Sequence, residues 1–228
     1  MTEGEVSLTP DDLFSKMCGV VADYTGKRLV VEKTPHHVHY AERIALAYPE
    51  TRFIVMMREP YGFMRSYKHQ GDRKEDEVKD SFKRLYHPIG CAMVYRGYAR
   101  SIVRLQSRHP KQTCVIALED VTRDPSGVLR RIAAFLDLSP MGEAALPAIN
   151  SSFPQGPAVI LEREDVFWMN FLAGSAIRAL GYKMDPAANF ADGIGALPSL
   201  PLWGWRAMAH LMAYQNARVM GYLRQWLA

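Results

Sequence analysis

Cysteine is scarce in this chain. Cys18, Cys91 and Cys114 are odd in number, widely spaced and free of any Cys-x-x-Cys pair. That argues against a disulfide framework and a thiolate zinc site and favours a reducing compartment. Long apolar runs are missing as well. None approaches the roughly 20 residues needed to cross a bilayer, and the residues after Met1 carry no signal-peptide pattern. The expected compartment is therefore cytoplasmic, with the Golgi lumen as the alternative should an anchor precede this chain. Basic residues are dispersed rather than clustered, and the formal charge is only +4. A nucleic-acid binder would show a denser basic stripe, so no nucleic-acid partner is expected. The Gly-x-x-x-x-Gly-Lys-Ser/Thr loop of P-loop kinases is lacking, and there is no internal repeat.

What is present describes an ordinary globular protein. Of 228 residues, 48% are hydrophobic and 23% charged, enough to bury a core. The chain is organised around Phe53-Ile54-Val55-Met56-Met57-Arg58-Glu59-Pro60, with Ser66 eight positions after Arg58. The apolar run reads as a strand buried on both faces, as in a parallel sheet. Arg58 then stands at its carboxyl end, where open α/β sheets bind ligands. Pro60 suits a first helical turn, and the free N–H groups of the new helix are expected to face the same crevice. Arginine, helix start and hydroxyl together predict a phosphate site.

Elsewhere the pattern predicts a helix from Thr9-Pro10 to Gly26, with Leu13, Phe14, Met17, Val20 and Val21 as an apolar face. A short strand is expected over Arg28–Glu32, followed by Lys33-Thr34-Pro35 and a helix from His37 to Tyr48. Lys33 at a strand end would face the ligand of Arg58. The charge run Asp72–Asp80 reads as solvated. A long helix is expected from His87 to Arg108, a strand from Gln112 to Leu118, and helices over Pro125–Leu136 and Leu161–Leu180. Leu138–Pro157 and Pro186–Pro201 read as loops, and Leu202–Leu227 as a closing aromatic-rich helix. For that helix, docking on the body is favoured over a membrane-surface role. His36, His37 and His39 match no strong zinc pattern, so no metal is expected.

These segments, from Leu29 to Tyr182, resemble the sulfotransferases that use 3′-phosphoadenosine 5′-phosphosulfate (PAPS). The matching pieces are Glu32-Lys33-Thr34-Pro35, Tyr48-Pro49 through Ile54, Arg58-Glu59-Pro60 with Ser66-Tyr67, Tyr98, Glu119-Asp120-Val121 with Asp124-Pro125, and Gly181-Tyr182. The resemblance implies an α/β fold of three layers, a mostly parallel sheet flanked by helices in the P-loop-like sulfotransferase architecture. The domain would span 1–185, with 186–228 packed on it or appended to it. The implied activity is transfer of a sulfuryl group from PAPS to a hydroxyl or amine of a carbohydrate, glycolipid or small molecule, with release of adenosine 3′,5′-bisphosphate.

The resemblance also implies roles. Arg58, Ser66, Lys33 and Tyr98 bind the cofactor, Arg58 and Ser66 at its 3′-phosphate. Lys33 lies near the transferred sulfuryl group; from position alone, His37 is a further candidate for the chemistry, and His36, His37 and Tyr40 are candidates for meeting the acceptor. Two family features have no counterpart before Leu29: the first strand with its Gly-rich 5′-phosphosulfate loop, and the usual general-base segment. The expectation is a chain that continues a longer protein or whose start was misassigned. The alternative is a shortened relative that binds nucleotide or a partner without catalysis. Neither oligomeric state nor acceptor identity follows.

Overall fold

The computed structural model describes residues 9–27, 29–70, 80, 83–139 and 160–226, and the side chains of these except His36 and residues 214–226. It divides into two compact units, Met1–Thr51 and Arg52–Ala228.

In the first unit, helix α1 (Pro10–Thr25) starts where its capping residues dictate. Thr9 Oγ1 accepts from the Asp12 N–H at 3.1 Å, and Asp12 Oδ2 accepts from the Thr9 N–H at 3.1 Å, a reciprocal capping box. Those bonds from Thr9 hold the Asp12 carboxyl below its usual range. Gly26 ends the helix in the left-handed region at φ +63°. The residues of its apolar face, Leu13, Phe14, Met17, Val20 and Val21, are exposed. What α1 meets in its own unit is helix α2 (Ala41–Ala47), through Phe14 edge-on to Tyr48 and the Tyr48 hydroxyl donating to Asp11 O at 2.9 Å.

The strand expected over Arg28–Glu32 is absent. Arg28 lies outside the described residues, and Leu29–Thr34 run as irregular backbone into a 3₁₀ segment, Pro35–Tyr40. The apolar triplet Leu29-Val30-Val31 has strand propensity, but a strand also needs a neighbour for its ladder. Among the described residues only two strands pair.

Those two are β1 (Phe53–Met57) and β2 (Thr113–Ala117) of the second unit, parallel, with Phe53 opposite Thr113 and Met57 opposite Ala117. The layered sheet flanked by helices is thus a small one in a mostly helical α/β protein. β1 is not buried on both faces. Ile54 and Met56 are exposed while Phe53, Val55 and Met57 are half-buried, the alternation of a strand covered on one side.

Helix α3 (Pro60–Lys68) follows β1, and α4 (Pro88–Arg108) leads back to β2. Beyond β2 come α5 (Leu118–Arg123), α6 (Pro125–Phe135) and α7 (Arg163–Ala179). The main core lies between α3, α4 and α7: Met64, Cys91, Ala92, Tyr95 and Ala99 against Met169, Ala173, Ala176 and Ile177. Alanine on both helices lets them approach closely. A smaller cluster of Cys114, Ile116 and Val128 seats α6 on β2.

The stretch read as a loop over Pro186–Pro201 holds a helical turn, Phe190–Gly193, and a 3₁₀ segment, Ile194–Ser199, before α8 (Leu200–Trp226). Asn189 starts that turn with its own capping box to Asp192, a signal masked in the sequence by the surrounding Gly and Pro. Most of the charge run at 72–80 and of the loop at 138–157 lies outside the described residues.

Candidate anion and acceptor sites

Because β1 and β2 are parallel, the residues after Met57 and Ala117 emerge at the same end of the sheet. Arg58 follows β1 directly and is half-buried. Its Nε would lie 3.3 Å from a Cβ placed on Gly62, and Glu59 Oε2 would lie 2.8 Å from the same point. The missing side chain at Gly62 therefore makes room for both groups over the first turn of α3. Ser66 sits one turn further on, on the face Gly62 occupies, and is half-buried. Burial raises the Tyr67 phenol first, with Cys91 and Tyr98 contributing. Arg58 thus precedes α3, Ser66 lies on it, and the half-buried Tyr98 stands on α4.

One expected component is not there. The first N–H groups of α3 do not stand free for a ligand, because the Glu59 carboxylate caps them, accepting from Tyr61 N at 2.8 Å and Gly62 N at 2.6 Å. Glu59 is the N-cap residue beside a proline, a position where an internal carboxylate outcompetes an external anion for the same donors. The candidate site is a guanidinium with a hydroxyl, not a helix terminus.

Around Arg58 the backbone is held by side chains from far along the sequence. Glu119 Oε1 accepts from the Glu59 N–H at 2.9 Å, and the Tyr182 hydroxyl donates to Glu119 Oε2 at 3.2 Å. The Tyr95 hydroxyl donates to Arg58 O at 3.2 Å. Burial, then neighbouring carboxylates, raise both phenols well above the usual tyrosine range, so they remain donors. The far end of α3 is fixed by Lys68, whose Nζ donates to the buried Asp165 at 2.6 Å. Asp165 also accepts from the Tyr86 hydroxyl and, at 3.0 Å, from Glu162 N.

The remaining predicted residues belong to the first unit. Lys33 is exposed on irregular backbone rather than at a strand end, the consequence of the absent strand. Its neighbours form a bonded set: Thr34 Oγ1 donates to Glu32, and His37 Nδ1 is 2.8 Å from Glu32 Oε2. Glu32 so fixes the imidazole by one nitrogen and leaves Nε2 for another partner. His37 and Tyr40 line one open cleft of about 270 Å³ together with Asp11, Arg43 and Tyr48. The side chain of His36 lies outside the described residues.

Sequence reasoning missed the parts played by Gly62, Glu59, Glu119 and Glu32. Glu32 and Glu119 stand inside the quoted motifs, but nothing in local spacing ties Glu119 to a backbone 60 residues earlier. Among the described residues no cluster of His, Cys, Asp or Glu could hold a metal ion, and no helix is long and apolar enough to cross a membrane.

A sequence model described as the sulfotransferase family matches residues 2–142, more than half of the chain. No curated protein and no solved structure matches it.

Proposed function

The chain belongs to the sulfotransferase family, whose chemistry is sulfuryl transfer, and on that premise we propose that its donor is PAPS. The acceptor in this reading is a hydroxyl or amine of a carbohydrate, glycolipid or small molecule, and the second product is adenosine 3′,5′-bisphosphate. The observation that carries the reading is the seating of Arg58 on Gly62, one helical turn from Ser66. A guanidinium with a hydroxyl on one helix face fits a phosphate monoester by charge and by hydrogen bonding, and no second cation is needed there.

When bound, PAPS supplies the activated sulfuryl group. Arg58 and Ser66 hold its 3′-phosphate, with Tyr98 beside them. Lys33 is the cation for the charge that grows on the bridging oxygen as the bond to sulfur breaks. His37, held through Nδ1 by Glu32, takes the acceptor's proton at Nε2. His37 and Tyr40, with His36, receive the acceptor. The exposure of Lys33 and His37 suits groups that meet two soluble substrates.

Calorimetry with adenosine 3′,5′-bisphosphate tests the binding half. Wild-type protein should bind it, and Arg58→Ala and Ser66→Ala should weaken that binding; unchanged affinity in both would remove them from the site. Transfer of labelled sulfate from PAPS across a broad acceptor panel tests the chemistry. Binding with no transfer to any acceptor would instead favour a non-catalytic nucleotide-binding relative.

A further inference from the structure

We propose that α8 lies on the surface of an anionic membrane, with the line of Leu202, Trp205 and Met212 facing the lipid. The first turn of the helix is fastened to the rest of the second unit through Trp203. Trp203 Nε1 donates to Leu85 O at 2.8 Å, and its ring packs on His87 with centroids 5.2 Å apart. Two residues further round the helix the situation reverses. Trp205 is 74% exposed, and Leu202, Met208 and Met212 are each more than half exposed. Indole that size is seldom left in water without a partner.

The exposed apolar residues share one half of the helix surface. Leu202, Trp205, Met208, Leu211 and Met212 recur at helical steps along one side of the helix. Arg206 falls outside it, and Arg218 and Arg224 follow in the sequence of the same helix. No Asp or Glu occurs anywhere after Asp192, so the helix offers only positive charge beside its apolar line. That combination, over the 27 residues of α8, is the pattern of a helix lying in the headgroup plane: apolar side chains in the acyl boundary, arginines at the phosphates. A second copy of the chain is the other occupant to weigh, because the three- and four-residue steps also suit a coiled coil. Charge decides against it. Two such helices side by side would bring arginine to arginine, with no carboxylate on either to answer it.

The test is co-sedimentation of the full chain with vesicles of phosphatidylcholine alone and of phosphatidylcholine mixed with phosphatidylglycerol. Binding is expected to the anionic vesicles only, to weaken as salt is raised, and to shift tryptophan emission to the blue. Trp205→Glu combined with Met212→Glu should lower that binding at least about tenfold. Arg218→Gln should lower it about fivefold, with no change on neutral vesicles. Should the double variant melt early, Arg218→Gln and the salt dependence decide alone. Absence of binding to anionic vesicles overturns the proposal, as does binding indifferent to both charge and salt. A dimer by sedimentation velocity without lipid, dissociated by the double variant, would overturn it in favour of a second copy.

Discussion

The two units hold their candidate residues in opposite ways. In the second, Arg58 and Ser66 are half-buried on a turn and helix that residues 60 to 124 positions away tie down: Glu119 to Glu59, Tyr182 to Glu119, Asp185 N to the Tyr61 hydroxyl. In the first, Lys33 and His37 stand exposed on a short segment whose recorded bonds, Thr34 to Glu32 and His37 to Glu32, stay within six residues. If Arg58 and Ser66 bind one fixed anionic shape, as proposed, they gain from preorganisation. If the first unit meets a variable acceptor, as proposed, local order suffices there. The difference teaches that substitutions in the second unit should register first as folding or binding, and those in the first as turnover.

The largest effect should come from Asp165→Ala. It leaves Lys68 without its buried partner and Tyr86 without an acceptor, at about 3 kcal/mol of stability, read as a fall in the denaturant midpoint. Should the midpoint not move, the second unit is not braced as described. Next is Lys33→Ala, expected to lower turnover roughly 100-fold or more with product affinity nearly unchanged; the opposite split would place Lys33 in binding. Arg58→Ala should weaken adenosine 3′,5′-bisphosphate about thirtyfold, and Ser66→Ala about fivefold, both with normal melting. The smallest effect concerns pH. His87 caps α4 by accepting from Ile89 N at Nδ1, and its Nε2 meets Ala196 O at 3.2 Å. Burial lowers its pKa from the ordinary 6.5, so the unfolded chain binds the proton more readily than the native one. Stability is then full above about 6.5 and declines as the pH falls below it. His87→Asn, which keeps a cap acceptor, should flatten that decline in melting temperature.

Much of this fold was legible in the sequence, and the residues show why. Helix α4 announced itself by His87-Pro88 and a long apolar line, and Tyr95, Ile102 and Leu105 are buried as that line implied. α6 and α7 were read within a residue or two of their ends, and β2 from a compact β-branched run. One misreading has a physical cause. Leu29-Val30-Val31 has the right local pattern, yet a strand needs a second strand for its ladder. That requirement is not written in the segment itself. The positions of Arg58 and Ser66 after a strand and on its helix followed from spacing. The capping by Glu59 could have been read from the Glu-Pro pair. The brace from Glu119 could not, because it depends on the register of two strands that pair Phe53 with Thr113, far apart in sequence.

Gly90 gives α8 a property of its own. A Cβ at that position would come within 2.3 Å of Trp203 Cζ2, so the indole rests in a notch that a single methyl group would fill. The fastening of α8 can therefore be undone from α4, without altering any residue of α8. Gly90→Ala would convert a latched helix into a tethered one, which separates what the latch does for the second unit from what the helix does by itself.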